Sequence, residues 1–99
     1  MRPPQDWAIE LRARANSGRA ALFFRQKDGA DALVWAYRTD TLASVESQIA
    51  QHVDDTPIGF IWFDAQGCHA EPLSDQRGME WRLKELCNDN TVAPEPGID

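Results

Sequence analysis

Long apolar runs are missing from this 99-residue chain, and nothing approaches the roughly 20 consecutive apolar residues that a membrane-spanning helix needs. Cysteine is scarce: Cys68 and Cys87 are the only two, too few for a disulfide-rich scaffold. The opening Met1-Arg2-Pro3-Pro4-Gln5-Asp6 lacks the apolar core of a secretory signal. The expectation is therefore a cytoplasmic protein with both thiols free. Catalytic spacings are lacking too. There is no Gly-rich phosphate loop, nucleophile elbow, dinucleotide fingerprint, Cys-x-x-Cys or His-Glu-x-x-His. No enzyme activity and no cofactor are expected.

Positive charge is the most unevenly missing component. Residues 39–76 contain no Lys or Arg, yet hold seven carboxylates: Asp40, Glu46, Asp54, Asp55, Asp64, Glu71 and Asp75. Over the whole chain 10 basic residues face 16 acidic ones, for a formal charge of -6. Residues 1–38 carry seven basic side chains against four acidic ones, so the head is positive and the remainder strongly negative. If the acidic segments share a face, that face steers an oppositely charged partner toward the molecule. The acidic balance also disfavours direct nucleic-acid binding, which would rest on Arg12, Arg14, Arg19, Arg25 and Lys27 with Phe23, Phe24 and Trp35 as stacking groups. Eight arginines against two lysines, with thirteen alanines, fit a GC-rich bacterial genome.

The composition that remains is that of a globular domain, 42% hydrophobic and 26% charged, long enough for one domain. Residues 3–17 read as a helix with Pro at its start, where a missing N–H is harmless, with the stripe Ala8, Leu11 and Ala15 and Trp7 beside it, and with Gly18 as its left-handed cap. Residues 20–26 and 32–38 read as strands of a hairpin turned at Asp28-Gly29. The Thr39-Asp40-Thr41 step offers N-cap oxygens for a second helix with the stripe Leu42, Val45, Ile49 and Val53. Asp54-Asp55-Thr56-Pro57 ends it, since the residue before a proline avoids helix. Residues 58–63 read as a buried strand, and 68–73 as an edge strand interrupted by Pro72. Ser74 or Asp75 would cap a third helix with the stripe Met79, Leu83 and Leu86 and a Glu80–Lys84 pair. The fold class expected is thus α+β in the order α-β-β-α-β-β-α. A four-stranded, mainly antiparallel sheet packs with three helices, as two ββα units after an N-terminal helix. Residues 1–90 form the single domain and 91–99 a disordered tail.

The two ββα units echo each other faintly. Leu22-Phe23-Phe24 aligns with Phe60-Ile61-Trp62 at an offset of 38, and Gly29 with Gly67. Shared hydrophobic periodicity and a turn glycine account for that much without duplication. By element order alone the chain resembles the LAGLIDADG homing endonucleases, but its first helix lacks that motif. Acidic, dimeric type III secretion chaperones are similar in combining helices with a twisted sheet, and they share no motif with it. No family is assigned.

The strands carry apolar residues on both faces, where a sheet covered on one side should alternate apolar and polar. Leu33, Trp35 and Tyr37 oppose Ala32, Val34 and Ala36, and Ile58, Phe60 and Trp62 oppose Ile61 and Phe63. Either the helices divide between the two faces, or one face is covered by a second copy or a partner. The leading expectation is a non-enzymatic protein-binding module, an adaptor, chaperone or inhibitor. Its partner surface would be Phe23, Val34, Trp35, Ile61 and Phe63, and the acidic region would select a basic protein. Homodimerisation is the companion expectation. Three alternatives stand beside it. The first is an inhibitor from a phage or mobile element that mimics nucleic-acid charge. The second is a metal- or thiol-dependent enzyme, using His52, Asp54 and Asp55 or Cys68, His69 and Glu71. The third is a nucleic-acid binder working through the N-terminal basic residues.

Overall fold

A computed structural model describes residues 2–91. Helix α1 (Pro4–Arg14) runs into a 3₁₀ turn at Ala15–Ser17, and β1 (Arg19–Arg25) and β2 (Asp31–Tyr37) form the first hairpin. Helix α2 (Leu42–Ala50) leads to the second hairpin, β3 (Thr56–Asp64) and β4 (Gly67–Pro72). A 3₁₀ turn at Arg77–Met79 then opens α3 (Glu80–Thr91). The order is α-β-β-α-β-β-α and the fold is α+β. Its sheet is ordered β2-β1-β3-β4 and is antiparallel at every pairing. Of the expected tail at 91–99, Thr91 is instead the last residue of α3, and residues 92–99 lie outside the described residues.

The question of the two apolar sheet faces is answered by the helices. Helices α1 and α2 cover one face, where Trp7, Ala8, Leu11, Val45 and Ile49 pack on Leu22, Phe24, Val34 and Phe60. Helix α3 covers the other, where Leu83, Leu86 and Cys87 pack on Ala21, Phe23, Ile58 and Ile61. The expectation that one face is left for a partner is therefore corrected. Phe23, Val34 and Ile61, expected on a partner surface, are core residues with 0%, 3% and 0% exposure.

The register explains one further departure. Phe23 pairs with Gly59 but Phe24 pairs with Pro57, so Ile58 is an extra residue on β3. A bulge of this kind resets the alternation of side chains. Ile58 consequently faces α3 with Ile61, on the opposite side from Phe60. Gly59, beside the bulge, is a point where β4 and α3 both press against β3. A Cβ there would lie 2.6 Å from the Glu71 carbonyl oxygen, 2.9 Å from the Pro72 Cα and 2.8 Å from Leu83 Cδ1. Two of those neighbours are backbone and cannot rotate away. Gly59→Ala should cost about 1–3 kcal/mol, the range for overpacking, measured as a lowered urea midpoint with an unchanged m-value.

Local signals hold in part. Thr41 caps α2, its Oγ1 accepting from the Ser44 N–H at 3.1 Å. Only Val45 and Ile49 of the expected stripe are buried. Leu42, the first residue of α2, and Val53, beyond its end at Ala50, are half exposed. Gly18 does not adopt the left-handed cap: its φ of 165° is extended backbone. Glycine is needed there because a Cβ would meet the Phe63 carbonyl oxygen at 2.8 Å. Ser74 and Asp75 do not cap α3, which begins at Glu80. Its Glu80 and Lys84 form no ion pair among the described residues. Arg82 instead pairs with Glu85 at 2.9 Å and with Asp31 at the start of β2. Those two carboxylates, Asp31 first, raise the Arg82 pKa further.

The cysteines also depart from expectation. Cys68 on β4 points toward α3, opposite to His69, and Cys87 lies on the helix face packed against it. Their Cα atoms are 5.8 Å apart and the sulfurs are joined in a disulfide. Neither is a free thiol, as the sequence reading had them, because β4 and α3 stack directly.

Candidate functional site

Where do the seven carboxylates of residues 39–76 go? Four of them do not form a common face. Asp40 stays within its own turn, accepting from the Tyr37 N–H at 2.8 Å, while its carbonyl receives Arg12 Nε at 2.8 Å. Glu46 is exposed on α2. Glu71 on β4 is paired with Arg14 of α1 at 2.8 Å. Asp64, at the end of β3, accepts from the Gln66 N–H at 2.8 Å and meets His69 Nε2 at 3.0 Å. These bonds, the backbone one foremost, hold the Asp64 carboxyl below its ordinary value of 3.8.

The Asp64 geometry has a pH consequence. A depressed carboxyl adds stability that is fully present above its unfolded pKa and is lost as pH falls through the folded value. The stability difference between the wild type and Asp64→Asn should therefore be constant at neutral pH and shrink below about pH 4. Urea denaturation across a pH series measures it, and a difference that persists unchanged into strong acid would contradict the assignment.

The other three carboxylates converge. Asp54 and Asp55 follow α2, and Asp75 follows β4; all three line a cleft of about 770 Å³. Its walls include Trp7 of α1, Val53, Pro57, Leu73 and the side chain of Arg2. The chain builds this cleft from three local devices. The stretch after α2 continues in turns, with the His52 N–H donating to the Ile49 carbonyl and Asp55 N–H to that of His52. His52 stacks on the buried Phe24 ring at 4.9 Å, and its Nδ1 meets Asp55 Oδ2 at 2.8 Å. That pair fixes the Asp54-Asp55 step against the core. Across the cleft, Leu73 donates its N–H to the Ile58 carbonyl, and a Leu73–Gln76 turn presents Ser74 and Asp75.

Trp7 forms the apolar wall. It is 3% exposed, tilts against Phe60 with centroids 5.9 Å apart, and carries an indole N–H with no hydrogen-bond partner. An unpaired buried donor of this kind costs roughly 1–3 kcal/mol, so an acceptor brought to it gains more than one offered to a solvated group. Neither Asp54 nor Asp75 makes a hydrogen bond or ion pair among the described residues. The cleft thus joins free negative charge to an apolar wall.

The remaining expected site residues lie elsewhere. Trp35 and Phe63 are partly exposed on the α3 side and hold the Arg19 guanidinium between them, at 5.1 and 3.9 Å from the ring centroids. Arg19 then donates to the Asn90 carbonyl near the end of α3 at 2.6 Å, tying this end of the central strand to the helix. Arg12 and Arg14 are likewise engaged inside the molecule, whereas Arg25 Nε is buried with no hydrogen-bond partner among the described residues and Lys27 is exposed. Arg12 donates to the Asp40 and Arg38 carbonyls, and Arg14 lies over Phe60 and bonds Glu71. For the metal reading, His52 and His69 each meet a single aspartate, on different elements. No three metal-ligating side chains gather among the described residues. For the thiol reading, the disulfide leaves Cys68 and Cys87 without a thiolate.

Trp7 is the member that sequence reasoning missed. It read as a residue beside the α1 stripe, and nothing in local periodicity links α1 to a turn nearly 50 residues away. What fold and site together define is an α+β domain with both sheet faces covered and an acid-lined cleft at one end. Comparison with protein-family models, curated proteins and solved structures finds no match.

Proposed function

We propose that the chain is a small non-enzymatic protein-binding module that receives a basic partner at the acid-lined cleft. The observation that carries this reading is the convergence of Asp54, Asp55 and Asp75 around the apolar wall of Trp7. Carboxylates lining one cleft give it a negative potential that draws a cationic group, while the apolar wall contributes contact area. In this reading the partner is bound and not transformed, as by an adaptor, chaperone or inhibitor. The surface expected on the sheet is replaced by the cleft, and Asp54, Asp55 and Asp75 are the expected partner residues that remain.

The test uses immobilised wild type and an Asp54→Asn/Asp75→Asn variant as baits in host extract over a salt series. A protein recovered by the wild type should be lost with the variant and should weaken as salt rises, because solvent-exposed pairs are screened. Equal recovery by both baits, insensitive to salt, would sink the proposal.

Cytoplasmic placement belongs to the same reading, and the Cys68–Cys87 bridge bears on it directly. Disulfides persist in oxidising compartments and are reduced in most cytoplasms. Thiol titration of protein taken from its host under alkylating quench decides the matter. Two free thiols support the cytoplasm, and none supports an oxidising compartment.

A further inference from the structure

Resting on the basic-partner reading of the cleft, we propose that the group it takes is the side chain of a partner arginine, and that Arg2 holds its place in the free protein. The guanidinium carbon of Arg2 lies 4.6 Å from the centroid of the Trp7 ring. This is the stacking that a planar, weakly hydrated cation makes on an indole face and a compact ammonium makes less well. Arg2 lines the same cleft as Asp54, Asp55 and Asp75, yet its ion pair goes to Glu10 on α1. The cleft carboxylates Asp54 and Asp75 are left without a partner among the described residues. Arg2 is itself exposed. An intramolecular arginine therefore covers the aromatic wall while the acidic side of the cleft stays unfilled.

A partner arginine can satisfy both sides at once. Its guanidinium lies on the indole after Arg2 swings away, and its N–H groups reach Asp54 or Asp75 in the forked geometry that carboxylates accept. Its aliphatic stem runs along Val53, Pro57 and Leu73. The occupant is thus a peptide segment that presents an arginine, and Arg2 is a tethered competitor for it.

The probe is N-acetyl-arginine methylamide, titrated into the full chain with its lysine and citrulline counterparts and followed by two-dimensional 1H–15N NMR. The arginine probe should shift the Trp7 indole N–H resonance, and the neutral citrulline probe should leave it in place. Arg2→Ala should tighten arginine binding about threefold by removing a surface cation–π competitor, and Asp54→Asn/Asp75→Asn should weaken it about tenfold. Equal binding of the citrulline probe would overturn the assignment, as would an unchanged affinity in Arg2→Ala. If the probe misses Trp7 while extract recovery still depends on Asp54 and Asp75, the arginine assignment fails and the basic-partner reading stands. If extract recovery is also indifferent to those residues, both fail.

Discussion

Phe23→Ala should destabilise the monomer by about 4 kcal/mol, within the range for emptying a phenylalanine site in a core. Phe23 lies on β1, one of the two central strands, and is fully buried under α3 with Ala21, Ile58, Ile61 and Leu83 around it. Backbone on both sides of β1 is hydrogen-bonded to neighbouring strands, so the site has little freedom to collapse around the lost ring. Natural domains are stable by about 5–15 kcal/mol, which makes this one change a large share of the total. The paired control is Trp81→Ala. Trp81 is on α3 and 57% exposed, and its loss should stay within about 0.5 kcal/mol. Urea denaturation of the two variants separates a core side chain from a surface one. A partner-facing Phe23 would leave monomer stability close to the wild type, whereas a core Phe23 cannot.

Reducing the Cys68–Cys87 bond should lower stability by about 3 kcal/mol, the chain-entropy figure for a loop of this length. The bridge joins residues 19 apart in sequence and ties the edge strand β4 to α3. Without it, the unfolded chain regains the freedom that the closed loop had removed. In a domain of this size the loss corresponds to a fall in Tm of roughly 15 °C, at about 4–8 °C per kcal/mol. Comparing the oxidised and the dithiothreitol-reduced wild type is the cleanest measurement, because no side-chain atoms are removed. A Cys68→Ala/Cys87→Ala variant should show a similar loss and become insensitive to reductant. Identical unfolding curves with and without reductant would mean that the packing of α3 alone positions β4.

Much of the fold was legible because its signals are local. Helix periodicity in Ala8, Leu11 and Ala15, the Asp28-Gly29 turn, the Thr41 cap and the apolar run through Phe60 all act within a few residues. The features that were not legible depend on the third dimension. No local rule says that α3 crosses to the opposite side from α2, so the apolar strand faces looked unpaired when they were not. The bulge at Ile58 is invisible to a strict period of two, and it reassigns a whole side chain to the other layer. The cysteines read as free because chain position says nothing about β4 stacking on α3. For the site, the acidic stretch stood out in sequence, but its division into three converging and four scattered carboxylates is set by where the turns end. Trp7 joins Asp54 and Asp75 only because α1 packs across that end of the sheet.

The placement of α2 and α3 on opposite layers also bears on the echo at an offset of 38 residues. Leu22 and Phe60 are cross-strand neighbours and point the same way, yet α2 folds over the layer they occupy and α3 folds over the other. Antiparallel strands β1 and β3 can be exchanged only by a rotation axis perpendicular to the sheet, and such a rotation leaves each helix on its own side. The two ββα units are therefore of opposite hand, and no rotation superposes one on the other. A tandem of either unit could not rebuild this protein. It would stack both helices on one layer and leave the aromatic residues of the other bare to water.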